Sequence, residues 1–167
     1  SKTGYFSASE VQTVLSLLRV LDNPSQDIPL AAVMKSYFGK FTSDEMAQLR
    51  AADPGLPFFQ CVQQYVSDES AKAELAEKVA RFYEMLQQYR RRIPYTPIHR
   101  LLQEILDESG YRNYVTALPA GEQRRANLDM LMEKAVAYEQ TSYHGLFHFI
   151  RYIDRLMKYD VDYGEAE

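Results

Sequence analysis

Hydrophobic residues recur at intervals of three and four along most of the chain. This spacing places them on one face of an α-helix. The first clear example has Val11, Val14, Leu15, Leu18 and Leu21 on one face. The alternation that is typical of strands is absent, apart from an ambiguous stretch over residues 111–118. The pattern therefore predicts an all-α domain with an irregular arrangement of about seven to nine helices.

Capping residues and prolines indicate where the first two helices begin and end. Ser7 followed by Glu10 forms a capping-box pattern, which predicts the start of the first helix. Asn23-Pro24 ends that helix because proline cannot continue its hydrogen-bond ladder. Asp27-Ile28-Pro29 then predicts the start of a second helix, with proline in its first turn.

The same signals divide the rest of the chain. A helix is predicted after Thr42, with Glu45 completing a second capping box and an end near Arg50. Two more are predicted over Phe58 to Val66 and from about Asp68 to Arg92. The last three are predicted after Thr96 as cap with Pro97 at the first helical position, after the turn at residues 118–121, and after Thr141-Ser142 as cap. Gly110 is expected to be a left-handed C-terminal cap. Residues 159–167 are acidic and aperiodic, so a frayed tail is predicted there.

Composition restricts the classes of protein that fit. A chain of 167 residues can form a single domain, and its one cysteine, Cys61, excludes an internal disulfide and is expected to be buried. No apolar run approaches the roughly 18 residues of a membrane span, and no signal peptide is visible. We therefore expect a cytoplasmic protein without a membrane partner. The net charge of −4 indicates that any contact with nucleic acid is local.

Catalytic and metal-binding patterns are missing from the sequence. Gly39-Lys40 is followed by Phe41, so it does not match the phosphate-binding loop that ends in Gly-Lys-Ser/Thr. His144 and His148 have the i, i+4 spacing of metal ligands, but a polar or half-buried pair is the favoured interpretation. Consequently no catalytic residue, metal ligand or cofactor site is predicted in this chain.

Clusters of positive charge offer local sites for phosphate. The candidate DNA-binding residues are Gly39, Lys40, Arg90, Arg91, Arg92, Arg100, Arg124 and Arg125. For the three consecutive arginines, an alternative is that they close a long helix at its negative end. For the last two arginines, the alternative ligand is a partner protein. Both choices remain open at the level of sequence.

Four segments, residues 10–36, 41–50, 121–131 and 141–156, occur in an order that resembles one region of superfamily 1 DNA helicases. That region leads from the second RecA-like motor domain into the helical insertion called 2B. The resemblance is to the AddA (RexA-type) helicase-nuclease subunit of the UvrD/RecB-like group in particular. Four matches in one order are more specific than any single motif.

The resemblance implies a domain organisation and a function. Residues 1–23 would pack on an absent 2A motor domain, with their apolar face partly exposed here, and residues 24–158 would form the 2B-like domain. The parent would be an ATP-dependent helicase and exonuclease in double-strand break repair and recombination, using ATP and Mg²⁺ and an AddB-like partner subunit. This chain would be catalytically inert and would engage double-stranded DNA through non-specific phosphate contacts.

Residues 36–42 depart from the family pattern. In related helicases the corresponding turn has glycines that let backbone N–H groups approach duplex phosphates. Here Tyr37 replaces a proline and Lys40 replaces a glycine, with Gly39 one place earlier. The Lys40 side chain is therefore the expected phosphate contact. Within 121–131, Asn127 is expected to hold a neighbouring backbone group.

Two other functions remain as alternatives. The chain could be an all-α protein-interaction or scaffold module whose arginines contact a partner subunit. An enzymatic function would require ATP turnover by the chain alone, which we do not expect without a nucleotide-binding loop.

Overall fold

The computed structural model describes residues 4–51 and 53–164, with side chains as far as residue 160. Within these residues there is no β-strand, which confirms the all-α prediction. The ten α-helices of this described part are α1 (Gly4–Ser7), α2 (Ser9–Asp22), α3 (Asp27–Lys35), α4 (Ser43–Ala51), α5 (Phe58–Ser67), α6 (Ala73–Arg92), α7 (Ile98–Glu108), α8 (Tyr111–Thr116), α9 (Gly121–Glu139) and α10 (Leu146–Gly164). The ambiguous stretch over 111–118 is thus the short helix α8.

The helices form two compact units. The first contains residues up to Leu18 and from Arg92 onward, and the second contains Arg19–Arg91. The division falls inside α2 and α6. The packing of residues 1–23 on a motor domain stays a prediction.

Helices α7, α8 and α9 pack against one another in the first unit, and α10 packs on α9. Its core includes Ile98, Leu101, Leu102, Ile105, Val115, Leu128, Leu131, Ala135, Phe149 and Ile153. The apolar residues of α2 are buried as well, since Val11, Val14, Leu15 and Leu18 are at most 4% exposed. Burial of each such side chain stabilises the fold by about 1.5–3 kcal/mol. The expectation that this face is partly exposed was therefore wrong.

The start of α2 also differs from the prediction. The hydroxyl of Ser7 donates to the carbonyl of Gly4 at 3.1 Å, and α2 begins at Ser9. The carboxylate of Glu10 is 96% buried and lies against α9 instead of capping α2. The predicted capping box fails because a tertiary partner takes this carboxylate.

Helices α3, α4 and α5 pack together in the second unit, where α5 contacts both of the others. The core includes Leu30, Val33, Met34, Leu49, Phe59, Val62, Val79, Phe82 and Leu86. Cys61 is fully buried, as predicted, and its thiol donates to the carbonyl of Asp53 at 3.4 Å. The capping box before α4 is confirmed: Thr42 N–H donates to Glu45 Oε1 at 2.8 Å, and Glu45 N–H donates to Thr42 Oγ1 at 3.1 Å.

The longest helix, α6, begins at Ala73, later than the predicted start at Asp68. The carboxylate of Asp68 accepts hydrogen bonds from the N–H of Ser70 at 2.9 Å and from its hydroxyl at 2.7 Å. Such a local turn competes with helix formation. The helix therefore starts only after the turn is complete.

Prolines precede α5 and α7, and neither helix has a side-chain cap from its own N-cap residue. Carboxylates from other helices accept hydrogen bonds from the first N–H groups of α5 and α7 instead. The N–H of Phe58 donates to Asp27 Oδ1 at 3.0 Å, and the N–H of His99 donates to Glu139 Oε1 at 2.9 Å. His99 Nδ1 also lies 2.6 Å from Glu139 Oε2. The prediction that Thr96 caps α7 was therefore wrong.

The last helix, α10, begins at Leu146, after Gly145 with a φ of +93°. Thr141-Ser142 does not cap it, because the hydroxyl of Thr141 donates back to the carbonyl of Tyr138 in α9 at 2.7 Å. Helix α10 continues to Gly164, beyond the predicted start of the frayed tail, and residues 165–167 lie outside the described residues. Gly110 has a φ of +76°, which confirms the predicted left-handed conformation.

No helix of the described part of the chain is both long and apolar enough to cross a membrane.

The cap of α7 gives a stability prediction. Changing Glu139 to alanine leaves the His99 N–H without its acceptor, so we expect a loss of about 1–2 kcal/mol in the free energy of unfolding. Glu133→Ala is the matched control, because Glu133 is an exposed carboxylate on the same helix. Thermal unfolding followed by circular dichroism measures both. An equal fall in Tm for the two variants would contradict the tertiary cap.

Candidate nucleic-acid interface

The turn between α3 and α4 contains two of the predicted DNA-binding residues. The N–H of Lys40 donates to the carbonyl of Ser36 at 2.7 Å, and the N–H of Phe41 donates to the carbonyl of Met34 at 2.8 Å. A Cβ atom on Gly39 would lie 2.3 Å from that Met34 oxygen, so only glycine fits at position 39. Lys40 has a φ of +58°, which is the left-handed region that favours glycine. The turn thus keeps a glycine-like backbone at the position where lysine replaces the glycine of the family pattern.

The backbone amides of this turn are engaged within the chain. Internal acceptors are present for the N–H groups of Ser36, Phe38, Gly39, Lys40, Phe41 and Thr42. A phosphate could bind these N–H groups only if existing hydrogen bonds broke. The arrangement therefore disfavours recognition of phosphate through the backbone and leaves the Lys40 side chain as the available group.

The Lys40 side chain is exposed, with Nζ 4.7 Å from the centroid of the Tyr37 ring. Its carbonyl accepts a hydrogen bond from Lys78 Nζ at 2.6 Å. The backbone of Lys40 is thereby held in place while its ammonium group remains in solvent. Side-chain contact with a phosphate is compatible with this geometry.

An ion pair between Lys78, in α6, and Glu45 lies at the N-terminus of α4. Lys78 Nζ lies 2.8 Å from Glu45 Oε1 and 4.8 Å from the centroid of the buried Phe41 ring. The hydrogen bond from Lys78, and next the one from the Thr42 N–H, lower the pKa of the Glu45 carboxyl. A negative charge thus already occupies this helix N-terminus, where a phosphate would otherwise be favoured.

The consecutive arginines divide between structural and exposed positions. Arg90 Nε donates to the carbonyl of Leu21, in the last turn of α2, at 3.2 Å. Arg91 Nη2 lies 2.9 Å from Glu84 Oε1, but both side chains are about 60% exposed. Such a surface pair contributes about 0–1 kcal/mol, so Arg91 could exchange it for a phosphate. Arg90 is instead held by its hydrogen bond to the C-terminal turn of α2.

Arg92 lies in the first unit and contacts α7. Its Nη1 lies 3.2 Å from Glu104 Oε2 and 2.5 Å from Glu108 Oε2. The hydrogen bond that Arg92 donates to the Glu108 carboxylate is the main reason that the pKa of the Arg92 guanidinium is raised. Arg100, also on α7, is exposed. The arginines do not act as one cluster, and Arg92 is largely neutralised.

Arg124 is the partner of a buried carboxylate. Its Nε donates to the carbonyl of Pro119 at 2.9 Å, and its Nη1 donates to Ser9 Oγ at 3.1 Å. Nη1 also lies 3.6 Å from Glu10 Oε2, and the Glu10 side chain is only 4% exposed. A buried carboxylate is costly unless it is paired and hydrogen-bonded. Arg124 is therefore a structural residue.

The other oxygen of Glu10 contacts Asn127. Asn127 Nδ2 donates to Glu10 Oε1 at 3.4 Å, and Gln123 Nε2 donates to Asn127 Oδ1 at 3.0 Å. Asn127 thus holds a side chain where a backbone group was expected. Tyr111 is buried and donates its hydroxyl to the Glu10 carbonyl at 3.4 Å, and burial raises the pKa of Tyr111 to about 12.

Arg125 is exposed at the start of α9. In the part of the chain that the structure describes, no carboxylate lies within 4 Å of Lys40, Arg100 or Arg125. These three residues and Arg91 remain available to an anionic ligand. Lys40 and Arg91 belong to the second unit, and Arg100 and Arg125 belong to the first.

Comparison with known proteins agrees with the resemblance in the sequence. No family model matches the chain. Its relatives include the A subunits of ATP-dependent helicase/nucleases from three bacteria. The chain is 45% identical over 165 residues to that of Acetivibrio thermocellus, 40% identical over 164 residues to that of Oceanobacillus iheyensis, and 39% identical over 167 residues to that of Clostridium acetobutylicum. These matches cover 98–100% of the chain and 13% of each relative.

The chain belongs to the family of ATP-dependent helicase/nuclease A subunits, as the counterpart of one segment.

Two groups in this helicase/nuclease segment were missed by reasoning from sequence. No sequence pattern in α6 marks Lys78 as the partner of Glu45. The Thr42–Glu45 capping box did predict the position of the Glu45 carboxylate itself. Glu10 was interpreted as a cap, although it directly precedes Val11 in the buried stripe of α2. An acid that borders an apolar stripe is usually exposed, so nothing in the sequence indicated the burial of Glu10 or its partner.

The role of Arg124 can be tested by stability. Arg124→Met removes the cation and keeps much of the apolar volume, so we expect about 3 kcal/mol of destabilisation from the buried Glu10 carboxylate. Arg125→Met is the matched control and should change stability by less than about 0.5 kcal/mol. Urea unfolding measures both. The double variant Glu10→Gln/Arg124→Met should recover part of the loss; no recovery would exclude the proposed pairing.

Glu45 gives a pH prediction. Because its pKa is lowered on folding from the ordinary value of 4.5, it contributes stability above pH 4.5 that is lost as the pH falls through the folded-state pKa. Glu45→Gln lacks this titration. Its Tm should lie below that of the unsubstituted chain at pH 7, and the difference should shrink below pH 4.5. A difference that stays constant down to pH 3 would contradict this assignment.

Proposed function

We propose that this segment is an accessory domain that engages double-stranded DNA within an ATP-dependent helicase and exonuclease acting in double-strand break repair and recombination. The relatives that match the chain over nearly its whole length are named as helicase/nuclease A subunits, which supports the parent activity. The observation that carries the DNA contact is the exposed Lys40, held by its backbone in a fixed turn with its ammonium group in solvent.

Contact with the duplex is non-specific in this proposal. Lysine and arginine side chains neutralise phosphates without reading base sequence. Lys40, Arg91, Arg100 and Arg125 are exposed cations, and the net charge of the chain is −4. A small number of phosphate contacts suits a domain that holds the duplex while other parts of the parent protein move along it.

The chemistry belongs to other parts of the parent protein. ATP and Mg²⁺ would bind to the motor domains of the same polypeptide, and an AddB-like subunit would be its partner. The present sequence has no loop ending in Gly-Lys-Ser/Thr. The segment itself is therefore proposed to be catalytically inert.

A protein-interaction module is the second candidate, and one observation favours it. Met130 and Val136 on α9 are 41% and 45% exposed, and a partner surface could cover these apolar side chains. A partner protein bound there would not require the exposed cations. The two candidates therefore predict different effects of charge removal.

A salt titration of duplex binding tests the first candidate. We expect the affinity to fall linearly in a log–log plot against salt, and each lost phosphate contact to reduce the slope by about 0.9. Lys40→Gly is the most informative variant, because glycine adopts the left-handed backbone more easily than lysine and should not lower Tm. Fluorescence anisotropy with a labelled duplex of arbitrary sequence measures the affinity.

Matched controls use exposed cations outside the proposed contacts. Lys72→Gly is the control for Lys40→Gly, and Arg81→Gln is the control for Arg100→Gln and Arg125→Gln. The controls should bind the duplex like the unsubstituted chain. If Lys40→Gly, Arg100→Gln and Arg125→Gln also bind like it, the duplex assignment is wrong and the interaction module is favoured.

A further inference from the structure

Helix α10 presents a face to solvent that contains none of the residues proposed to contact duplex DNA. Leu146, Phe149, Ile150 and Ile153 point into the core and are at most 9% exposed. At 100° per residue, the opposite side of the helix carries another set of residues. We call this set the outer face of α10, and it consists of Phe147, His148, Arg151, Arg155, Lys158 and Tyr159, all exposed.

The outer face is positively charged. Arg151, Arg155 and Lys158 follow one another at helical spacing, and Asp154 at the border is the one carboxylate among residues 147–159. As far as side chains are described, no carboxylate lies within 4 Å of these three cations. They differ in this respect from Arg92, which lies against two glutamates.

Exposed rings lie among these cations. The Phe147 side chain is 52% exposed, and the guanidinium carbon of Arg151 is 5.6 Å from its centroid. The ring of His148 is 5.3 Å from that of Phe147 and 5.5 Å from that of Tyr143, which is 55% exposed. Large aromatic side chains are usually buried, so three neighbouring rings in solvent require an explanation.

We propose that the outer face of α10 binds single-stranded nucleic acid. Cations that follow the phosphate backbone together with aromatic rings that stack on unpaired bases are the two elements of such sites. Phe147 and Tyr159 are separated by about 18 Å along the helix, at 1.5 Å per residue. This length is sufficient for a short run of nucleotides.

The rings distinguish this ligand from two others with the same charge. In a duplex the bases are stacked on each other, so the Phe147 and His148 rings would have no base face to meet. An acidic protein surface would bind the three cations but would not need exposed rings. The combination of charge and rings therefore favours unpaired nucleotides.

The outer face of α10 would bind unpaired strands and not a duplex, and it shares no residue with the set assigned to duplex binding. Binding of unpaired strands there does not depend on whether Lys40 contacts a duplex.

A fluorescent reporter provides the first test. The chain contains no tryptophan, so F147W introduces a single indole on the outer face. Addition of oligothymidylate of about 12 nucleotides should quench this indole by stacking. I28W is the matched control, because Ile28 is 86% exposed on α3 and should show no quenching. Equal quenching of both reporters, or none for F147W, would overturn the proposal.

Affinity measurements separate stacking from charge. F147L should weaken binding of oligothymidylate about tenfold. It should leave binding of an abasic strand with the same phosphates unchanged. The triple variant R151Q/R155Q/K158Q should reduce the salt slope by about 2 for both strands. Circular dichroism spectra identical to that of the unsubstituted chain would exclude misfolding of these surface variants.

Three further outcomes count against the proposal. Normal binding of oligothymidylate by F147L would show that the ring does not stack. Quenching of F147W by a blunt duplex to the same extent would remove the preference for unpaired bases. Equal quenching by polyglutamate would instead identify the outer face as a site for an acidic protein.

Discussion

The first N–H groups of each helix must find acceptors, and in this chain carboxylates from distant positions often supply them. Prolines at the N-caps of α5 and α7 offer no side-chain acceptor. Asp27 satisfies the N–H of Phe58, and Glu139 satisfies the N–H of His99. Each of these hydrogen bonds joins two helices of one unit. Helix capping and tertiary packing are thus achieved by the same contacts.

This constraint also restricts how the chain can bind an anion. A helix N-terminus is a favourable place for phosphate, but Glu45 and Asp27 bring negative charge to the starts of α4 and α5. Acids also neutralise Arg92, and Arg124 in turn neutralises Glu10. A count of arginines therefore overstates the cations that a nucleic acid could meet. The cations that remain available to a nucleic acid are a small set of exposed lysine and arginine side chains.

Helix boundaries were predicted correctly where the capping residues bind their sequence neighbours. They were predicted wrongly where a residue from a distant part of the chain takes the place of the local cap. Pro24 and the Thr42–Glu45 box defined helix boundaries correctly because they act on neighbouring residues, and Lys78 binds Glu45 without displacing the capping hydrogen bonds. Ser7 with Glu10 was wrong because Glu10 pairs with Arg124, at the other end of the sequence. Thr96 was wrong for the same kind of reason. The family was recognisable from four ordered segments, whereas the division of the basic residues into structural and exposed positions depends on distances that no spacing reveals.

The composition of the first unit has a consequence for the order of folding. Its parts, residues up to 18 and from 92 onward, are separated in sequence by the whole of the second unit. During synthesis the continuous stretch 19–91 emerges complete while Arg124 and Asn127, the partners of Glu10 in α2, do not yet exist. Closing this long loop carries an entropic cost and makes the contact order of the first unit high. The first half of α2 therefore reaches its final packing only after the C-terminal part of the chain is made.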